Sequence, residues 1–147
     1  MRHDHTIAMM HDCKAATLQR CNVTKLQHCK VATLQDCNAT RLHDCKLARL
    51  QECTVAELQR CKVTMLQTCK IAELHSCKCV KLQSCNVATL ESCNVAKLQS
   101  CNVANLDRCK VQIVQSGKAL RLHDCSAARL QSCNAATPQD CRAARLQ

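Results

Sequence analysis

From Cys13 to Cys141 every eighth residue is Cys, with the single exception of Gly117. A strict period limits the fold more than any other feature of the chain, because the geometry of the secondary structure has to match it. The unit reads C-[KN]-[VA]-A-x-L-Q-x, with slots numbered one to eight from the Cys. The register runs backwards through His5 to Asp12, a worn copy, and Met1 to Asp4 fits slots five to eight, as comparison with Arg121 to Asp124 shows. Residues 1–147 therefore read as one tandem octapeptide-repeat region, without linker or second domain. Variation within the unit is uneven. Slot one is Cys in 16 of 18 occurrences and slot six is Leu in 15 of 19, while slots five and eight carry many polar and charged types. Retained apolar slots beside variable polar ones are what a folded repeat requires.

Ala, Leu, Gln, Lys and Arg favour helix by propensity, but the period does not. Eight residues at about 100° each overshoot two helical turns by about 80°, so the Cys and Leu stripes would spiral round the helix and line no face. No heptad is present for a coiled coil. An even period keeps the two faces of a strand in register, and stacked strands bury identical rows on one another. The expected fold is all-β: a single β-solenoid with two or three units per coil. Helix is the second choice and disorder the third. Slots one, three or four, and six are expected inward, as Cys, Val or Ala, and Leu. Asn at slot two, as in Asn22, Asn38 and Asn86, is expected to supply the left-handed corner. Gln at slot seven, present 12 times in 19, is expected to stack as an amide ladder.

The segment Ala32-Thr33-Leu34-Gln35-Asp36 resembles the A-[DN]-L-x-x unit of pentapeptide-repeat proteins, which are right-handed β-solenoids. The resemblance lies in the inward A-x-L packing; the three residues Cys37-Asn38-Ala39 before the next copy depart from that family's period. Towards the end of the chain, Ala119, Ala127, Ala135 and Ala143 reduce apolar volume at slot three. Pro138 replaces a slot-six Leu and lacks a backbone donor. Fraying or distortion is expected there, and an uncapped solenoid end is expected to allow end-to-end self-association.

With one Gly, one Pro and no Phe, Tyr or Trp, the chain is poorly suited to a mixed α/β enzyme domain, which needs Gly in turns and aromatic residues in its core. Leu, Ile, Val and Phe make up about a fifth of it, at the border of disorder. The net charge of +10 favours contact with anionic partners. No stretch approaches a membrane span. The apolar run from Thr6 to Met10 is too short for a signal peptide, so the expected compartment is the cytoplasm, where thiols stay reduced.

Seventeen Cys and seven His raise a metal hypothesis, but zinc sites pair ligands two to four residues apart, and Cys77-x-Cys79 is the one close pair. Buried Cys as a small core hydrophobe is the simpler reading; cross-core disulfides are a third. His3, His11, His43, His75 and His123 fall in the Gln slot and read as solvated substitutes. Met1-Arg2-His3 has the pattern of a square-planar copper or nickel site. Asp36, Asp44, Glu57 and Glu73 read as surface charge. An ice-binding Thr array would need one unbroken row, and Lys25, Arg41 and Glu57 interrupt Thr17, Thr33 and Thr89. No residue is assigned as catalytic, cofactor-binding or metal-binding, and no cofactor is expected.

The peptide T-L-Q-R-C-N-V-A can be encoded by three copies of ACGTTGCA, and Thr17 to Val23 matches seven of its eight residues in order. An octamer array reads the same peptide in all three frames without a stop. Met1, Met9 and Met65 in the Thr slot and Met10 in the Leu slot are each one base from it, and Gly117 is one base from Cys. The leading functional reading is a non-enzymatic structural repeat protein. The alternatives are a basic scaffold for nucleic acid or another polyanion, a thiol-based metal binder, and an unselected reading frame from the array.

Overall fold

The computed structural model describes residues 7–146, Leu146 by its backbone only. Strands recur every eight residues: β1 (Ile7–His11), β2 (Ala15–Gln19), β3 (Val23–Gln27), and so on to β17 (Ala135–Gln139) and β18 (Ala144–Leu146). Each covers slots three to seven, except the shorter β18. Odd-numbered strands form one nine-stranded parallel sheet and even-numbered strands another. Residue i always faces residue i+16, as Ile7 faces Val23 and Ala15 faces Val31. The chain is thus a β-solenoid with two octapeptides per coil, and no helix is present among the described residues.

Alternation along each strand decides which slots are inside. Leu at slot six is buried, so slot four shares its face and slot three does not. Ala32, Leu34 and Cys37 are fully buried in the core, whereas Val31, at slot three, is 36% exposed. Of the two alternatives for the inward apolar slot, the structure takes slot four. The interior is a narrow slab of Ala, Leu and Cys, with the Cys rows at its two edges.

The corners differ from expectation. The left-handed residue is slot eight, with φ between 51° and 59° at 17 successive positions from Asp12 to Asp140. Slot two engages both its backbone groups in the ladder, as Lys30 N–H donates to Cys13 O at 3.0 Å and Val31 N–H to Lys14 O at 3.1 Å, whereas slot eight engages its N–H and leaves its C=O outside, free to turn. On the other side of the corner, Asp12 N–H donates to Gln27 O at 3.0 Å. Pairing between coils therefore continues through the corner, leaving few backbone groups unsatisfied. This is how the chain turns without Gly, at about 1–2 kcal/mol for each left-handed side chain.

Two departures from the repeat are accommodated. A Cβ on Gly117 would lie 2.8 Å from Leu120 Cδ2. Leu120 occupies slot four, where most units have Ala, and fills the space that a Cys at slot one would occupy. Pro138 leaves β17 in register with β15 (Ala119–His123), opposite Leu122, so the expected distortion is absent. The N–H groups of slots four and eight point to the following coil, as Ala128 N–H to Ala143 O and Asp124 N–H to Gln139 O show. By alternation slot six points the same way. No described strand lies on that side of β17, so Pro138 removes no bond to β15. Weakening at this end shows instead as partial exposure of Cys133, Ala136 and Cys141.

Ser84→Gly, at a left-handed slot eight, is expected to stabilise the solenoid by about 1 kcal/mol. Asn86→Gly, two residues on, should destabilise it by about 0.5–1 kcal/mol; thermal melts followed by far-UV circular dichroism compare the two. Gly117→Cys should cost about 1–3 kcal/mol through overpacking and Leu120→Ala about 2–5 kcal/mol through a cavity. The double variant restores the repeat and should recover most of the loss in the same melts.

Candidate functional site

Because a coil holds two octapeptides, each slot becomes two rows on opposite sides of the molecule. Slot two after an odd strand runs Lys14, Lys30, Lys46, Lys62 and Lys78, then Asn94, Lys110, Ser126 and Arg142. Slot two after an even strand is mostly Asn: Asn22, Asn38, Asn86, Asn102 and Asn134, with Thr54, Lys70 and Lys118. Slot seven divides as sharply. On β2 and each later even strand as far as Gln131 it is Gln without exception, whereas the odd strands carry His11, His43, His75, Glu91, Asp107 and His123 among their Gln residues. At slots two and seven one edge of the solenoid is therefore mostly amide and the other mostly charged. Gln19 donates to Gln35 at 3.1 Å, Gln115 to Gln131 at 3.2 Å, and Asn38 to Asn22 at 3.0 Å. The expected Gln ladder forms at the two Gln pairs, and the Asn pair at slot two adds to it on the same edge.

The outer face of the even sheet combines the Lys row with slot five, where Arg49, Lys81, Lys97, Arg129 and Arg145 occur. From slot two to slot seven the even units contain twelve Lys and Arg and not one carboxylate. All twelve are exposed, and none forms an ion pair with a described residue. Between slots five and seven an open groove of about 880 Å³ runs along this face from Thr33 to Gln115. Arg49, Lys81 and Lys97 stand on one bank, the Gln row on the other, and the backbone of the slot-six Leu residues is the floor.

Most acids lie on the odd sheet and the charged edge; Asp36 and Glu52 stand at slot eight on the amide edge. Arg41 pairs with Glu57 at 2.7 Å, and Asp44 with both Arg60 and His43 at 2.9 Å. Glu91 pairs with Arg108, and His75 lies 3.5 Å from its other oxygen. Of the histidines expected to be solvated substitutes, His11, His43, His75 and His123 are thus surface groups with carboxylate neighbours, and His3 lies outside the described residues. His123 has Asp107 at 3.1 Å and Asp124 at 3.4 Å. The hydrogen bond to Asp107, followed by the charge of Asp124, raises its pKa above the usual 6.5. These three form the one group of three metal-type ligands among the described residues; they are solvent-accessible and already engaged with one another. Cys77 and Cys79 do not form a pair: Cys77 is buried in a corner and Cys79 is exposed on a strand. Thr17 and Thr33 share the even sheet while Thr89 lies on the odd one, so no Thr array exists. Met1-Arg2-His3 lies outside the described residues.

The slot-one thiols form two rows, one along each edge. The charged edge carries the nine Cys from Cys13 to Cys141 in steps of sixteen. The amide edge carries Cys21, Cys37, Cys53, Cys69, Cys85 and Cys101, a gap at Gly117, and Cys133. Thiols donate to the slot-seven carbonyl two residues back, as Cys37 Sγ does to Gln35 O at 3.4 Å. Burial pushes the Cys37 thiol above its ordinary pKa and Cys125 up to about 11. Within a row the thiols act on one another. The neighbouring thiols Cys61 and Cys93 lower the pKa of Cys77, and the reciprocal interactions along the row raise those of Cys61 and Cys93. A straight row gives each thiol one neighbour above and one below, not the four ligands of tetrahedral zinc. Cys13 and Cys29 are joined by a disulfide between successive coils, with Cα atoms 4.6 Å apart. The bond runs along a row, not across the core.

Comparison with protein-family models, curated proteins and solved structures finds no match to the chain. The site therefore has to be read from its own geometry, and the 16-residue alternation was the signal available for it in the sequence. Slots two and seven show it once odd and even units are separated, whereas a reading by octapeptide merges the rows.

For His123, proton NMR titration should give a pKa above 6.5, returning towards that value in Asp107→Asn. Since the folded-state pKa lies above the unfolded one, this contact favours the fold at acidic pH. Its contribution fades as pH rises through the folded value.

Proposed function

We propose that the chain is a non-enzymatic solenoid scaffold that binds nucleic acid along its even face, through phosphate and without reading sequence. One observation carries this reading: five exposed cations on the outer face of the even sheet and seven more in the row along its adjoining edge, with no carboxylate in slots two to seven of these units and no described ion-pair partner. The acids within strands lie on the opposite sheet, and Asp12, Asp44, Asp124 and Asp140 share that edge at slot eight. Such a face concentrates positive potential that the net charge alone would spread over the whole surface. Neighbouring coils lie about 4.8 Å apart, and slots two and five are separated by about 10 Å along a strand. The cations thus form two parallel tracks along the solenoid axis, a suitable arrangement for an extended polyphosphate. Absence of aromatic residues removes base stacking, so recognition rests on the backbone. A uniform repeat with no enclosed pocket of distinct groups gives catalysis no place to start.

Fluorescence anisotropy with labelled single-stranded DNA, over a salt series, tests the proposal. Affinity should fall steeply with salt, by about 0.7 log units per log unit of salt for each phosphate neutralised, and two unrelated sequences should bind alike. The triple variant Lys46→Gln/Lys62→Gln/Lys78→Gln should weaken binding about tenfold or more at moderate salt and lower the slope by about two. The control Lys25→Gln/Lys70→Gln/Lys118→Gln removes the same charge from the odd units. Equal losses in both variants would reduce the interaction to net charge and reject the face.

A further inference from the structure

We propose that each Cys row is a register for disulfides between successive coils, so that parity along the row, rather than the number of cysteines, sets how far the protein can be oxidised. This inference rests on the fold and is independent of nucleic-acid binding.

The geometry is that of the Cys13–Cys29 bond, repeated. Its Cα atoms are 4.6 Å apart, inside the range of about 4.4–6.8 Å that disulfides span. Every later pair in a row has the same i, i+16 relation, fixed by the strand register on both sides of the corner. Cysteines eight apart lie on opposite edges and cannot meet. A thiol therefore has two possible partners, the one above and the one below, and can take only one.

Counting along the rows gives the limit. The row of nine closes at most four bonds and leaves one thiol. The run of six from Cys21 to Cys101 closes three, and Gly117 isolates Cys133. Cys79 points outward at slot three and belongs to neither row. The limit is seven disulfides and three free thiols among 17 Cys.

The chemistry needs a small-molecule disulfide such as oxidised glutathione. A Cys thiolate near the end of the row of nine, where Cys141 is only partly buried, attacks one sulfur of the reagent and expels a glutathione thiolate. The Cys one coil away then attacks the protein sulfur of the mixed disulfide and expels the second glutathione. Two protein thiols are oxidised, one glutathione disulfide is reduced to two thiols, and the protons leave with them. Attack by the next Cys along the row on the new bond moves it by one coil and frees the outer thiol for another round. Buried positions of the row of nine are reached in this way without opening the core, whereas the run of six, buried at both Cys21 and Cys101, is entered through local opening.

The test is equilibration of the folded protein in a glutathione redox buffer of increasing oxidised fraction. Free thiols are then alkylated in denaturant and counted by mass, and the bonds are mapped without reduction. The expected end point is three free thiols, every pair at i, i+16, and a retained β-type circular dichroism spectrum. Cys13→Ala leaves an even row of eight, so the end point should be two free thiols, with Cys29 now joined to Cys45. Gly117→Cys/Leu120→Ala adds a cysteine and joins the amide-edge row into a run of eight; free thiols should again fall to two. Bonds between residues eight apart, stable glutathione adducts at row positions other than the isolated Cys133, or an end point unchanged by both variants would overturn the proposal.

Discussion

The parallel backbone ladder between residue i and residue i+16 is the interaction on which everything else in this molecule depends. It holds for the strand pairs of both sheets and, unusually, continues through the corners. In the corners slot eight donates forward to the next coil, and slots two and three donate back to the previous one. A chain with one Gly has few conformational ways to reverse direction. Here the reversal is concentrated in a single left-handed residue per corner, and the neighbours on each side stay in the ladder. Repetition then turns each side chain into a row. Leu on Leu and Cys on Cys give a core whose apolar burial is multiplied by the number of coils, which compensates for a lack of large side chains.

Much of this was legible in the residues. The even period excluded a face-forming helix, and the conserved spacing of Cys and Leu implied stacked rows and an interior lined by them. Two local assignments failed for identifiable reasons. Val at slot three reads as core by hydrophobicity, yet strand parity relative to Leu at slot six places it outside. Asn at slot two reads as a corner by its tolerance of positive φ, yet its backbone is already committed to the ladder. Slot eight carries Asp, Arg, His, Glu, Thr and Ser at its left-handed positions. All seventeen are polar, six of them Ser and five Asp, but no Gly or Asn marks the slot, because the ladder on both sides holds the conformation.

The candidate face was less visible, because the natural unit of reading was the octapeptide and the unit of structure is the coil. Lys and Asn alternate at slot two, and Gln alternates with His or an acid at slot seven. Summed over all units these look like tolerated variation at polar positions. Assigned to their coils, they become a Lys row against an Asn row and an unbroken Gln row against a charged edge. The Gly117–Leu120 pair was hidden in the same way: one residue is small and the other large only with respect to a shared corner that the linear sequence does not display.

The same distinction bears on how such a chain arises. An eight-base array dictates an eight-residue period and makes odd and even units identical. It cannot by itself place lysines along one edge and amides along the other, or keep carboxylates off one of two sheets. Differences with a 16-residue period require that the coil has been the unit that changed, either by duplication of whole coils or by retention of changes that suit one side of a folded solenoid. In both cases the variation follows the register of the structure that the chain forms. The twelve cations of the even face, with no carboxylate between them, are where that register has the clearest consequence for what the surface can bind.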